Sequence, residues 1–475
     1  MRKISKLAAA LTLLGSFIYN QSLAQTSAKK PNIIFILADD LGYGNLTSFN
    51  KGSKIPTPNI DRIATEGTKF TRFYSGNTVC APSRCALMTG YHMGHAFIRG
   101  NGKGKDGKGA LRPQDTTIAQ RLQGNGYVTG MFGKWGLGDA DSQGAPHLKG
   151  YNEFFGYLDQ SHAHDYYTSH LFEIRNNKTE RVNIDSSQYT QDLIADKALG
   201  FIKDHKDQPF FLYLPFTLPH AELVVPQELL KKFQNPDGTS KLGPEKPFKK
   251  HNNYDDQAQP HAAFAAMVSK LDADVGRILD QVKQLGLDDN TYIFFTSDNG
   301  PHKEGGADPV FFDSNGPLKG VKRDLYEGGI RVPLLVKAPG KVPAGKVNDV
   351  AWAFWDILPT VGQLTNTPVP AGIDGLSFTQ ALAGQAQTKQ HDYLYWQFRE
   401  GELKEAVTQG DWKLIRFKDS GKKEILELYN LKEDIGENNN LASKYPAKVK
   451  ALRALQLKAK TQPENKNFDW SDVEK

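Results

Sequence analysis

Three observations predict an α/β fold, a central, mostly parallel sheet flanked by helices. Near-continuous apolar runs end in polar residues at four places, helical periodicity fills the intervals, and a strand-dense pattern takes over after about residue 371. A run that is apolar at every position, not at alternate ones, fits a strand covered on both faces, as the strands of a parallel sheet are. Alternation of such runs with helices is the α/β pattern.

Residues 1–24 stand apart. Arg2, Lys3 and Lys6 precede an apolar run over 7–19, and Ser22, Leu23 and Ala24 supply a cleavage point, which together read as a removed signal peptide. The run is short for a bilayer, and no later stretch is longer, so the sequence predicts an exported chain, periplasmic or extracellular, with no membrane span. Losing this leader takes three basic residues and no acidic one from a balance of 59 Lys and Arg against 53 Asp and Glu. The mature charge is then close to neutral, which argues against a nucleic-acid partner.

The four apolar runs cover residues 32–38, 127–132, 210–214 and 292–296. They lead respectively to Asp39 and Asp40, to Gly133, Lys134 and Trp135, to Thr217 through His220, and to Ser297, Asp298, Asn299 and Gly300. Ligands of open α/β sheets bind outside the carboxyl ends of the strands, so four strands should deliver polar residues to one edge. Helices are expected over 116–124, 188–203 and 261–285, the last opened by Pro260. Residues 231–256 read as a polar surface loop. Beyond 371–390, short strands at 393–398, 405–408, 412–417 and 426–429 and a helix from 446 to about 460 predict a small antiparallel α+β unit. The division that follows is a signal peptide at 1–24, a catalytic unit at 25–370 and a C-terminal unit at 371–475.

Residues 80–90 carry the densest chemistry. Pro82 suits the first turn of a helix and Gly90 its end, which puts Cys80 at a helix N-terminus where unpaired N–H groups favour negative charge. Arg84, one turn on, adds a full positive charge on the same side. Cys80 and Cys85 are the only cysteines, and two cysteines in an exported chain read by default as a disulfide. Asp39, Asp40, Asp298 and Asn299 offer oxygen donors from two strand ends, a set suited to a hard divalent cation such as Ca²⁺ or Mg²⁺.

Cys80, Pro82, Ser83 and Arg84 followed by Leu87, Met88, Thr89 and Gly90 resemble the signature of the type I, formylglycine-dependent sulfatases, of the kind bacteria export as arylsulfatases and carbohydrate sulfatases. The resemblance runs from Pro31 to about Thr365. It implies an alkaline-phosphatase-like sheet and a Cys80 oxidised by a maturation enzyme to formylglycine (3-oxoalanine), whose hydrate is the nucleophile. It also implies one Ca²⁺ held by Asp39, Asp40, Asp298, Asn299 and the modified Cys80. Arg84, Lys134, His220 and Lys319 match residues that bind the sulfate and the leaving group, with His220 as imidazolium the general acid. The implied activity is hydrolysis of sulfate esters on a sulfated sugar or polysaccharide fragment.

One position departs from the family pattern, which reads His where this chain has Gly136. The missing imidazole is the family's base for releasing sulfate, so His162 and His164 are expected as a substitute base or as sugar-binding residues. His95 and Arg99 follow the signature helix in a Gly-rich, basic stretch and are expected at the pocket mouth. Two other readings stand beside this one. A phosphomonoesterase or phosphodiesterase of the same superfamily would need further His and Asp ligands for a second metal ion; a decayed sulfatase that only binds sulfated glycans would pair Cys80 with Cys85.

Overall fold

Two sheets organise the chain in the computed structural model, which describes residues 29–101, 109–251 and 254–474. The leader expected at 1–24 lies outside the described residues, as does the end of the basic stretch at 102–108. The larger sheet uses β1 (Asn32–Ala38), β2 (Thr68–Tyr74), β3 (Val128–Lys134), β4 (Glu153–Tyr157), β5 (His170–Arg175) and β6 (Lys178–Asn183). It continues with β7 (Phe210–Pro215), β8 (Thr291–Ser297), β9 (Arg331–Lys337), β10 (Lys346–Asn348) and β11 (Trp352–Ala353). Across the sheet the order is β10-β2-β9-β8-β1-β7-β3-β4-β5-β6, with β11 also on β2.

The middle strands β8, β1, β7 and β3 are parallel, as their apolar runs predict, and β4, which no such run announced, joins them in parallel. Antiparallel pairing enters on both sides: β9 runs against β8 and β2, and the β5–β6 hairpin extends from β4. The sheet is therefore mixed. The hairpin strands bury only Leu171, Thr179 and Val182 and are otherwise half-buried or exposed, so they carry no continuous apolar run.

The seven main helices are α1 (Pro58–Thr65), α2 (Cys80–Thr89), α3 (Ile118–Gly124), α4 (Thr190–Asp204), α5 (Pro260–Gln284), α6 (Ile357–Leu364) and α7 (Pro446–Lys458). Alternation along β1 explains why both faces of the sheet are covered. Ile34, Ile36 and Ala38 pack with α1, α4 and α5, while Ile33, Phe35 and Leu37 pack with α2, α3 and α6. Local signals fix the helix starts. Thr117 accepts from Gln120 N and Gln120 accepts from Thr117 N, a capping box that stabilises the start of α3 by about 1 kcal/mol.

The second sheet, β12 (Leu394–Glu400), β13 (Glu402–Gln409), β14 (Trp412–Lys418) and β15 (Ile425–Asn430), is antiparallel throughout. One face buries Val407, Leu414 and Leu428 under Leu452 of α7. The other face joins the main core, where Trp396 and Phe398 lie with Phe73 and Tyr74. Trp396 donates to Ser75 O at 2.9 Å, so its burial, about 3 kcal/mol for such a ring, leaves no polar atom unpaired. Among the described residues no helix is long and apolar enough to cross a membrane.

Register then sets the functional edge. Ala38 of β1 lies opposite Ser297 of β8, so Asp39 and Asp298 leave the sheet at the same level. Lys134 ends β3, and residues 217–220 follow β7 on the same edge.

Candidate active site

α2 points its first residue at that edge. Val79 is its N-cap without a side-chain bond, Gly90 closes it in the left-handed region at φ 77°, and Ser83 Oγ donates to Asp298 O at 2.6 Å, pinning the helix to the end of β8. Ala81 N donates to Asn101 Oδ1 at 3.0 Å. Cys80 and Cys85 are both buried and both free thiols, so the disulfide of the binder reading does not form. Their positions in the helix explain this: Cys85 is buried within the hydrophobic core, while Cys80 faces the strand ends.

Around Cys80 sits a buried lattice of charges. Cys80 Sγ lies 3.4 Å from Asp39 Oδ1 and 3.5 Å from Lys134 Nζ. Asp39 Oδ2 accepts from Lys134 Nζ at 2.7 Å and from Arg84 Nη2 at 3.1 Å. Arg84 also donates from Nε and Nη2 to Asp298 Oδ2, at 3.1 and 2.8 Å, while Asp298 Oδ1 accepts from Asp40 N at 3.0 Å. Asp40 holds a left-handed backbone at φ 64°. That conformation costs about 1 kcal/mol and turns its carboxylate toward Lys322 Nζ, at 2.8 Å, and His220 Nε2, at 3.3 Å.

These neighbours set the protonation states. Burial raises the Asp39 carboxyl, but the Lys134 ammonium and the Arg84 guanidinium overcome it and hold Asp39 well below the usual carboxylate range. Burial and then the Asp39 carboxylate push Asp298 up to about 7, against the two bonds from Arg84. Burial, reinforced by Asp39, pushes the Cys80 thiol far up. Burial and then the Lys322 ammonium drive His220 well below the ordinary imidazole range.

Burial and Lys322 thus favour the neutral imidazole at His220, where the sequence reading expects an imidazolium. Its Nδ1 is bonded to Ala221 O, and its Nε2 lies 3.0 Å from Lys322 Nζ, which can only donate. The proton at this corner sits on Lys322.

The oxygen donors expected for a cation come together. Asp39, Asp40, Asp298 and Asn299 are fully buried, and Asp39, Asp40, Cys80 and His220 present ligand atoms within 4.8 Å of one another. Asn299 donates its Nδ2 to Asp40 Oδ1 and keeps its buried Oδ1 without a partner. An orphaned carbonyl oxygen beside carboxylates fits a hard cation.

Other expectations fail for identifiable reasons. Lys319 does not reach the site. Its Nζ donates to Glu437 O at 3.0 Å and lies 4.1 Å from the Tyr326 ring, against the C-terminal unit. Lys322 takes its place because its backbone N bonds to Pro301 O, immediately after the Asp298–Gly300 strand end, which draws that residue inward. His95 is spent on Asp374 at 2.8 Å, and Arg99 on the carbonyls of Ala96, Gly94 and Thr461. His162 bonds Thr168 Oγ1 at 2.9 Å and stacks on His170, away from the nucleophile. His164 does arrive: its ring stacks on His220 at 4.5 Å with Nδ1 buried and unpartnered, and burial, then Lys134 and Lys322, bring it down to about 4.

Several site residues were missed. Glu304 lies 3.3 Å from Lys322 Nζ, His302 stacks on His220 at 5.4 Å, and Tyr254 donates to Glu304 at 3.2 Å from the segment expected to be only a surface loop. The Gly300–His302 turn and the Lys322–Arg323 pair were the available signals, but neither belongs to an apolar run.

A sulfatase family profile matches residues 31–367, and a second profile, described as N-sulphoglucosamine sulphohydrolase, C-terminal, matches residues 320–464. The N-acetylgalactosamine-6-sulfatase of Canis lupus familiaris is 31% identical, over 82% of this chain and 72% of its own. The N-acetylgalactosamine-6-O-sulfatase of Bacteroides thetaiotaomicron is 28% identical, over 92% and 94%. The crystal structure of Ps i-CgsB in complex with k-i-k-neocarrahexaose superposes with a TM-score of 0.75 at 28% identity, covering 92% of this chain and 94% of that one.

Proposed function

This chain belongs to the sulfatase family and is a sulfuric ester hydrolase, and from that premise we propose that it removes sulfate from a hydroxyl of a sulfated sugar. In this reading Cys80 is matured to formylglycine by a separate enzyme, one Ca²⁺ is bound, and the leader at 1–24 directs export. The sugar is supported by two relatives named for N-acetylgalactosamine and by a solved neighbour that holds neocarrahexaose.

The observation that carries the reading is the setting of Cys80, at a helix N-terminus 3.4 Å from Asp39 Oδ1 and 3.5 Å from Lys134 Nζ. Burial and Asp39 keep an unmodified thiol there protonated, a poor nucleophile. Oxidised to formylglycine, the same position supplies a hydrated aldehyde oxygen able to attack ester sulfur. Asp39, Asp40, Asp298 and Asn299 would hold the Ca²⁺, whose charge polarises the sulfate.

The chain's own residues do the rest. Arg84, Lys134 and Lys322 are three buried cations at one strand edge, preorganised for the charge that develops on the sulfate and the departing oxygen. As the bond from sulfur to the sugar oxygen breaks, that oxygen takes a proton from Lys322, whose Nζ is steered by His220 Nε2 and Asp40. To His164, a neutral imidazole stacked on His220 with Nδ1 unpartnered, this reading gives the proton acceptance that Gly136 cannot provide.

Two measurements test this. Peptide mass spectrometry of the tryptic segment 73–84 should find formylglycine at Cys80, and the protein should release sulfate but no phosphate from matched esters. Cys80→Ser should keep the fold and lose multiple turnover. Active protein with an unmodified Cys80, or undiminished steady-state activity in the serine variant, overturns the reading.

A further inference from the structure

A cavity of roughly 570 Å³ opens beside the first turn of α2, walled in part by Ala81, Asn101, Gly136, Asp139, Gln160 and Ser161. Ala81 is the residue after Cys80, and Gly136 lies two residues beyond Lys134, so two of its walls are close in the chain to active-site residues.

Within this wall Gln160 is anomalous. Its Nε2 and Oε1 are both buried, and neither has a hydrogen-bond partner. Buried amides are nearly always bonded at both ends, because an unpaired donor or acceptor loses its water without compensation. Gly136 leaves it room. Gly136 donates its N to Leu158 O at 3.0 Å and sits at φ 76°, and a Cβ there would lie 2.2 Å from Gln160 Nε2. The amide therefore occupies the space that a side chain at 136 would need.

We propose that Gln160 is a substrate-binding residue that hydrogen-bonds the hydroxyls of the departing sugar, and that Gly136, bare of a side chain, admits it. The assignment rests on the sulfatase chemistry proposed above. A carboxamide offers one acceptor and two donors and does not titrate near neutral pH, so it binds and does not move protons. A sugar hydroxyl both donates and accepts, so one amide matches two neighbouring hydroxyls. Gln160 thus sets which ester is chosen, while the buried cations act on the sulfate.

The test compares two kinds of ester on oxidised protein. N-acetylgalactosamine 6-sulfate, N-acetylglucosamine 6-sulfate and galactose 4-sulfate carry ring hydroxyls; para-nitrophenyl sulfate carries none. Gln160→Ala should raise KM for the best sugar ester about tenfold and leave kcat/KM for the aryl ester within about twofold. Gly136→Ala, whose methyl group displaces the amide, should show the same selective rise, and Gly136→Ala with Gln160→Ala no more than either alone. Equal losses on both kinds of ester, or no loss on the sugar ester, overturn the assignment. Calorimetric binding of the sugar ester to the Cys80→Ser protein reads Gln160 without turnover: about tenfold weaker binding on adding Gln160→Ala supports the assignment, and unchanged affinity removes it. Gln160-dependent binding by a protein that releases no sulfate from any of these esters would overturn the proposed hydrolysis and leave the assignment standing.

Discussion

Lys319 and Lys322 lie one turn of chain apart and do different work. Lys322 Nζ is fully buried between Asp40, His220 and Glu304, whereas Lys319 rests on the Tyr326 ring and a carbonyl of the C-terminal unit. Lys322→Ala should lower kcat by about 10²–10³, the cost of removing one preorganised donor from a charged transition state. Lys319→Ala should leave kcat within about twofold and cost about 1 kcal/mol of stability through the lost cation–π contact. Steady-state sulfate release and denaturant unfolding on the two variants separate these outcomes, and equal kinetic losses would contradict the assignment. At this scale the sequence was legible wherever a residue directly follows an apolar strand, as Asp39, Asp298 and Lys134 do. Lys322 and Glu304 were not, since their direction depends on turns between strands, and the one-residue bond from Lys322 N to Pro301 O leaves no mark in the pattern.

Between elements, the join of the small sheet to the large one depends on a buried triad. Lys413 of β14 bonds Glu327 at 2.9 Å and lies 3.1 Å from Glu437, all three inaccessible to solvent. Glu327 in turn accepts from Tyr74 of β2 at 2.9 Å and from Arg331 of β9 at 3.3 Å. Lys413→Met strands two carboxylates in the interior and should cost about 3–5 kcal/mol. Denaturant unfolding that moves by less than about 1 kcal/mol would show the triad to be dispensable. Burial and the Glu327 carboxylate hold Glu437 up at about 7, so in the variant a proton is the easiest relief. The strands of this unit were legible from their turns and alternation. The triad was not, because nothing in the pattern links Lys413, Glu327 and Glu437, which lie far apart in the chain.

Across the molecule, buried histidines held neutral contribute to the response to acid. Burial lowers His92 to about 4 even beside Asp374, and His164 likewise. Between the ordinary value of about 6.5 and 4, the unfolded chain binds a proton that folded His92 refuses. Its contribution is therefore complete above about 6.5 and falls by about 1.4 kcal/mol per pH unit, to a loss of about 3 kcal/mol near pH 4. Unfolding free energies measured from pH 7 to 4.5 should show a slope that His92→Asn reduces; an identical slope in the variant would place the acid sensitivity elsewhere.

The depth of Cys80 also orders events in time. At 2% exposure, in the first turn of a helix pinned to β8 by Ser83, its sulfur is beyond the reach of another protein's active site once the sheet has closed. The oxidation proposed for it must happen on the unfolded chain, so the protein's chemical competence is fixed before its shape. Folded, unoxidised protein given the maturation enzyme should keep its Cys80 thiol while the unfolded chain gains formylglycine, and conversion of the folded protein would remove that constraint. A molecule that folds first is committed as a thiol, and no later encounter with its maturation enzyme can repair it without unfolding.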